Sequence, residues 1–140
     1  MNVSMNIADK AGLYREIYRV LKSGAWLALS EIAQGPSGAP NYPTPWAKNA
    51  EASFLATHSK TRHGLEACGF IIVRSREMVK EALAFGALSR AMIERGEKPP
   101  HRAVQLIPGD LAAEMAANTA RAISERALIP IEIVCRKPDQ

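Results

Sequence analysis

The chain has 140 residues, 47% of them hydrophobic and 23% charged, with a formal net charge of +4. This mix predicts one ordinary globular domain spanning residues 1–140, burying roughly two thirds of its unfolded surface, and it argues against a largely disordered chain. No apolar run approaches the ~20 residues of a membrane-spanning helix, and the N-terminus lacks the charged and apolar regions of a signal peptide, so cytoplasmic residence with no membrane partner is expected.

Cys68 and Cys135 are too few and too far apart to suggest a disulfide framework. Both stand in apolar surroundings and are expected to act as small buried hydrophobes. The basic residues are dispersed among acidic ones, as in Arg74-Ser75-Arg76-Glu77 and Glu94-Arg95-Gly96-Glu97-Lys98. Without a basic run, no nucleic-acid partner is expected.

In chain order, Asp9 to Leu21 reads as a helix, with Leu13, Ile17, Val20 and Leu21 on one stripe. Asp9 is a plausible N-cap, and Gly24 is placed as the left-handed residue that ends the helix. Ala25 to Ile32 is nearly all apolar, which suggests a strand buried on both faces in a parallel sheet. Residues 33–51 carry Gly35, Pro36, Gly38, Pro40, Pro43 and Pro45, so regular structure is not expected there. A loop of that length after a parallel strand lies where open α/β sheets bind ligands.

Thr57 to Cys68 reads as a short helix capped by Thr57 and stopped by Gly69, with Gly64 an internal cost of about 1 kcal/mol relative to Ala. Phe70 to Arg74 is a strand and Met78 to Arg95 a helix ending at Gly96. Residues 97–109 form a Pro-containing connector. Asp110 to Arg126 is an Ala-rich helix, Leu128 to Arg136 the last strand, and Lys137 to Gln140 a frayed tail. Pro130 cannot donate to a ladder, so it implies an edge strand or a strand start. His58, His63 and His101 make no metal set, because His58 and His63 are five apart on a helix with no Cys or carboxylate clustered beside them. Gly35-Pro36-Ser37-Gly38 matches the G-x-x-G of one RNA-binding loop, but it follows a strand and lacks basic residues.

Several of these segments carry a family resemblance. Met5-Asn6-Ile7, Asp9-Lys10 and the helix ending Val20-Leu21-Lys22-Ser23-Gly24 resemble class I S-adenosylmethionine-dependent methyltransferases. The branch is that of sarcosine/dimethylglycine and ubiquinone-biosynthesis enzymes. Leu65-Glu66-Ala67-Cys68-Gly69-Phe70 resembles the family's entry to its sixth strand, and Ile133-Val134-Cys135-Arg136-Lys137 its seventh.

The resemblance implies an α/β fold: the C-terminal half of a Rossmann-like methyltransferase sheet, its last strand antiparallel between the fifth and sixth. The family's Gly-rich cofactor loop has no counterpart, since no Gly-x-Gly-x-x-Gly occurs. The N-terminal cofactor-binding strands are therefore expected to be lacking. The implied cofactor is S-adenosylmethionine, with Met5 and Asn6 near the methyl donor, and the implied substrate is a small-molecule acceptor, with Glu31, Tyr42 and Trp46 as its contacts. Two kinds of partner follow: a missing N-terminal half, or a second copy paired across an exposed sheet edge.

Overall fold

The structure is a computed structural model that describes residues 3–98 and 111–139. Most of the 97–109 connector, with His101, lies outside the described residues. Among the described residues, four helices, α1 (Lys10–Val20), α2 (His58–Ala67), α3 (Val79–Glu94) and α4 (Leu111–Ser124), and three strands, β1 (Trp26–Gln34), β2 (Ile71–Glu77) and β3 (Leu128–Arg136), follow in the order α1-β1-α2-β2-α3-α4-β3. Two 3-10 turns, Ser4–Asn6 and Ala50–Ala52, complete the order. The architecture is α/β, as expected.

The sheet runs β1-β3-β2. β3 pairs antiparallel with β1, from Trp26 opposite Arg136 to Gln34 opposite Leu128. It also pairs antiparallel with β2, through a bulge between Ile72 and Arg74. The two outer strands are thus parallel to each other, with the last strand inserted between them as the resemblance implied.

Local chemistry sets the boundaries. Asp9 caps α1 by accepting from the Gly12 amide at 2.8 Å, and Thr57 caps α2 by accepting from Lys60 at 3.1 Å. α2 ends in a left-handed Gly69 (φ 100°), with Phe70 N–H bonded to the Leu65 carbonyl and Gly69 N–H to that of Glu66. α4 ends by the same pair of bonds, Ala127 to Ala122 and Arg126 to Ile123, although its left-handed residue is Arg126 (φ 59°). A side chain there costs roughly 1–2 kcal/mol, and no glycine marks the stop in the sequence.

Several expectations need correction. Gly24 does not end α1, because Leu21 is the cap and is already extended. Gly24 instead sits in the turn closed by Ala25 N–H on the Lys22 carbonyl. β1 runs two residues further than expected, to Gln34, and β2 three further, to Glu77. Beyond Gln34 the long loop holds one 3-10 turn, where no regular structure was expected.

β1 is not buried on both faces. Leu29, Glu31 and Ala33 are buried, while Trp26, Ala28 and Ser30 are exposed. Its hydrogen-bonded neighbour is antiparallel rather than parallel. Pro130 lies near the start of the central strand, not on an edge. Its carbonyl accepts from Met78 N–H at 2.7 Å, beyond the last β2 pair, Glu77 with Ile131. A strand residue's N and C=O point the same way, so the missing donor falls where the ladder has ended.

Lys137 is not part of a frayed tail. It is buried, and its ammonium donates at 2.8 Å to the Tyr18 and Leu21 carbonyls at the end of α1.

The main core lies on one face, where Leu29, Ile131, Ile133 and Cys135 meet Tyr14 of α1 and Leu65 of α2. Fully burying each such aliphatic side chain contributes roughly 1.5–3 kcal/mol. Gly64 lets the helices close up, since a Cβ there would stand 2.9 Å from the Tyr14 ring. On the other face a smaller cluster joins Ala122, Ile123 and Leu128 with Ile32, Trp46 and Leu83. Gly35 touches the backbone after α4 so closely that a Cβ would lie 1.9 Å from the Arg126 carbonyl.

Candidate functional site

The end of β1, the first turn of α1 and the long loop enclose a cleft of about 490 Å³. Its walls include Lys10, Gln34, Tyr42, Ser53, Phe54 and Leu55. Burial of the stripe Leu13, Ile17, Tyr18 against the core fixes α1, and the Asp9 cap fixes its first turn, so Lys10 projects at the end of the sheet.

The loop is held in place. Asn118 donates to the Pro43 carbonyl at 3.0 Å and the Trp46 indole to Ser53 Oγ at 3.1 Å. Thr44 and Ala47 exchange backbone bonds, and Thr44 is fully buried. The 3-10 turn Ser4–Asn6 joins the loop to the strand. Phe54 N–H bonds to the Met5 carbonyl at 2.7 Å, and the Asn6 amide donates to the carbonyls of Trp46 at 2.6 Å and Ala52 at 3.4 Å.

Beside the cleft lies a buried polar group. Glu31 is 4% exposed, accepts from the Ser4 hydroxyl at 2.9 Å through Oε2, and leaves Oε1 buried with no hydrogen-bond partner among the described residues. Burial pushes its carboxyl above the ordinary value, against the pull of Ser4, Val3 and Lys10. The Lys10 ammonium donates to the Ser4 and Ile7 carbonyls, and burial lowers its pKa against the attraction of Glu31. Burial also raises the Tyr14 phenol on the same core face.

The structure links Met5, Asn6, Glu31 and the Trp46 backbone through the Ser4–Asn6 turn, and places Tyr42 on the wall of the cleft beside them. Met5 and Asn6 sit on the turn, Glu31 holds that turn through Ser4, and Tyr42 lines the cleft. Glu31 lies inside β1 rather than at its end, and its side chain is turned into the core. Trp46 packs with Ile32, Leu55 and Leu83 in the second cluster, and its indole fastens the loop. The sequence reading named Lys10 only within the Asp9-Lys10 part of the family resemblance and missed it as a site residue; its spacing from Ser4 and Ile7 carried no signal.

His58 bonds Ser75 at 2.7 Å, and no group of three metal-ligating side chains occurs among the described residues. Cys135 is inert by burial, its thiol raised to about 11. No helix among the described residues is long and apolar enough to cross a membrane.

The residues present do not by themselves form a site for S-adenosylmethionine. Met5 is 5% exposed, and both hydrogens of the Asn6 amide are spent on the chain's own carbonyls.

No family model and no curated protein sequence matches the chain. Solved structures do. A phosphoethanolamine N-methyltransferase of Haemonchus contortus, with phosphomonomethylethanolamine and S-adenosylhomocysteine bound, matches with a TM-score of 0.74 at 16% identity, over 99% of this chain and 32% of that one. A sarcosine dimethylglycine methyltransferase from Galdieria sulphuraria matches with a TM-score of 0.68 at 14% identity, over 99% and 51%. A [4+2]-cyclase matches with a TM-score of 0.61 at 19% identity, over 97% and 47%. The chain spans about a third to a half of the structures it matches.

Proposed function

We propose that this chain is the acceptor-side, C-terminal portion of an S-adenosylmethionine-dependent methyltransferase for a small molecule, and that it is inactive alone. Its fold matches part of the solved methyltransferases, and its antiparallel last strand between two parallel ones is the arrangement that the family resemblance implies. The observation that carries the reading is the cleft at the C-terminal end of β1, where α/β sheets of this kind bind ligands. The fold alone does not fix the chemistry, as the cyclase illustrates.

Methyl transfer from a sulfonium is an in-line displacement in which positioning of the two reactants supplies much of the acceleration. In this reading Tyr42 borders the acceptor and Glu31, through Ser4, holds the Met5–Asn6 turn at the cleft. Asn6 meets the methyl donor only by giving up a loop carbonyl. Residues outside this chain grip the cofactor.

The test is a chimera. The chain is fused behind the cofactor-binding half of the Galdieria enzyme, and S-adenosylhomocysteine binding is measured by calorimetry. Binding about tenfold or more tighter than to that half alone is expected. Equal binding would sink the reading.

A second reading starts from the place of β1 at one end of the strand order β1-β3-β2 among the described residues, where Trp26 is 57% exposed. Here the chain is a non-catalytic module that pairs with its own copy along this edge. Sedimentation across a wide concentration range decides it: a monomer throughout rules it out.

A further inference from the structure

The cleft at the end of β1 has an uneven supply of hydrogen-bonding groups. Lys10 is the one charged residue among its described walls, and no carboxylate lines it. Its ammonium has three hydrogens and spends two, on Ser4 and Ile7. Ser53 Oγ accepts from the Trp46 indole, so its own hydrogen remains to be donated. Tyr42, whose phenol can donate, also lines the cleft. The Gln34 amide nitrogen is turned away, to the Gly35 and Gly38 carbonyls. Glu31 attracts the ammonium from the buried side without lining the cleft, which offsets part of the effect of burial on the cation and leaves it uncapped. Phe54, Leu55 and Ala39 supply an apolar wall.

We propose that this cleft binds a small molecule with one anionic group, a carboxylate or a phosphate, on a compact apolar body, and that Lys10 selects the anion. A charge-assisted bond from a half-buried ammonium, joined by two hydroxyl donors, favours an anion over a neutral or cationic analogue. Calling that molecule the methyl acceptor rests on the reading above; the binding site itself does not.

The experiment titrates the whole chain with four probes that share one ring, namely benzoate, phenyl phosphate, benzyl alcohol and benzylammonium, followed by NMR. Both anions are expected to bind about tenfold or more tighter than the other two, with shifts at Lys10, Tyr42 and Ser53. Lys10→Met should remove that preference, while Lys10→Arg should keep it. Ser53→Ala, which leaves the contacts of Lys10 intact, should weaken benzoate a few-fold and decides the matter if Lys10→Met fails to fold. Equal affinity for all four probes, or unchanged benzoate binding in either Lys10→Met or Ser53→Ala, would overturn the proposal. These titrations contain no cofactor. Anion binding beside a failed chimera would retire the methyltransferase reading alone, and the reverse would retire only the anion site.

Discussion

The two faces of the sheet are built from the same strands and have opposite fates. Under α1 and α2, Leu29, Leu65, Ile131 and Ile133 are at most 1% exposed. On the other face Trp26 and Ile71 flank Arg136 across the ladder and remain 57% and 55% exposed. α3 and α4 cover that second face only where Ile32, Leu128 and Trp46 gather. One face is completed by local segments, each helix folding back on the strand beside it. The other is finished only at the end that carries the cleft, and its remainder mixes the exposed Trp26 and Ile71 with Arg136 and the ion-paired Arg74, Arg76 and Glu132.

The sharpest way to break this contrast is a pair of truncations. Leu65→Ala should cost about 2–5 kcal/mol, since it opens a cavity among fully buried neighbours. Trp26→Ser should stay within about 0.5 kcal/mol in the monomer, as other exposed sites do. Urea unfolding of both measures it, and a large loss for Trp26→Ser would mean that the open face is already covered in solution.

Lys137→Met comes next. It removes two bonds to the last carbonyls of α1 and the cation over the Tyr18 ring, 4.5 Å away. A loss of about 1–3 kcal/mol is expected in the same unfolding assay. A neutral result would show that water replaces the ammonium at that helix end.

A smaller effect sharpens the boundary between core and cleft. Burial raises the folded-state pKa of Glu31, so the carboxylate disfavours folding once it ionises. Stability from this group is greatest below the ordinary value of 4.5 and falls as pH rises through it to the raised folded value. Glu31→Gln keeps an acceptor for Ser4 and should flatten that fall, so that its advantage over the wild type grows with pH across this window. Melting curves at a series of pH values test it, and parallel curves for the two proteins would refute it.

Much of the fold was legible because its signals are local. Asp9 and Thr57 cap helices from positions that a sequence shows directly, and Gly69 and Gly96 stop them. The order of strands was legible only through resemblance, because nothing in Leu128–Arg136 by itself says that it lies between the other two. The stop at Arg126 was not legible, since the backbone adopts there a conformation normally marked by glycine. Glu31 was legible as a polar residue in an apolar strand but not as a buried one. Its partner Ser4 is 27 residues away, and only packing brings the two together.

The sequence by itself determined where the helices begin, which residues can be apolar stripes and that the Pro-rich segment beyond Gln34 could not join the sheet. These follow from backbone dihedrals and side-chain periodicity, which act over a few residues. The tertiary structure decided which face of β1 is covered, that Pro130 could sit in a central strand, that Trp46 fastens the loop and that Lys10 faces a cleft free of carboxylates. Those outcomes depend on contacts between distant segments, where burial and charge are set by neighbours that sequence spacing does not reveal.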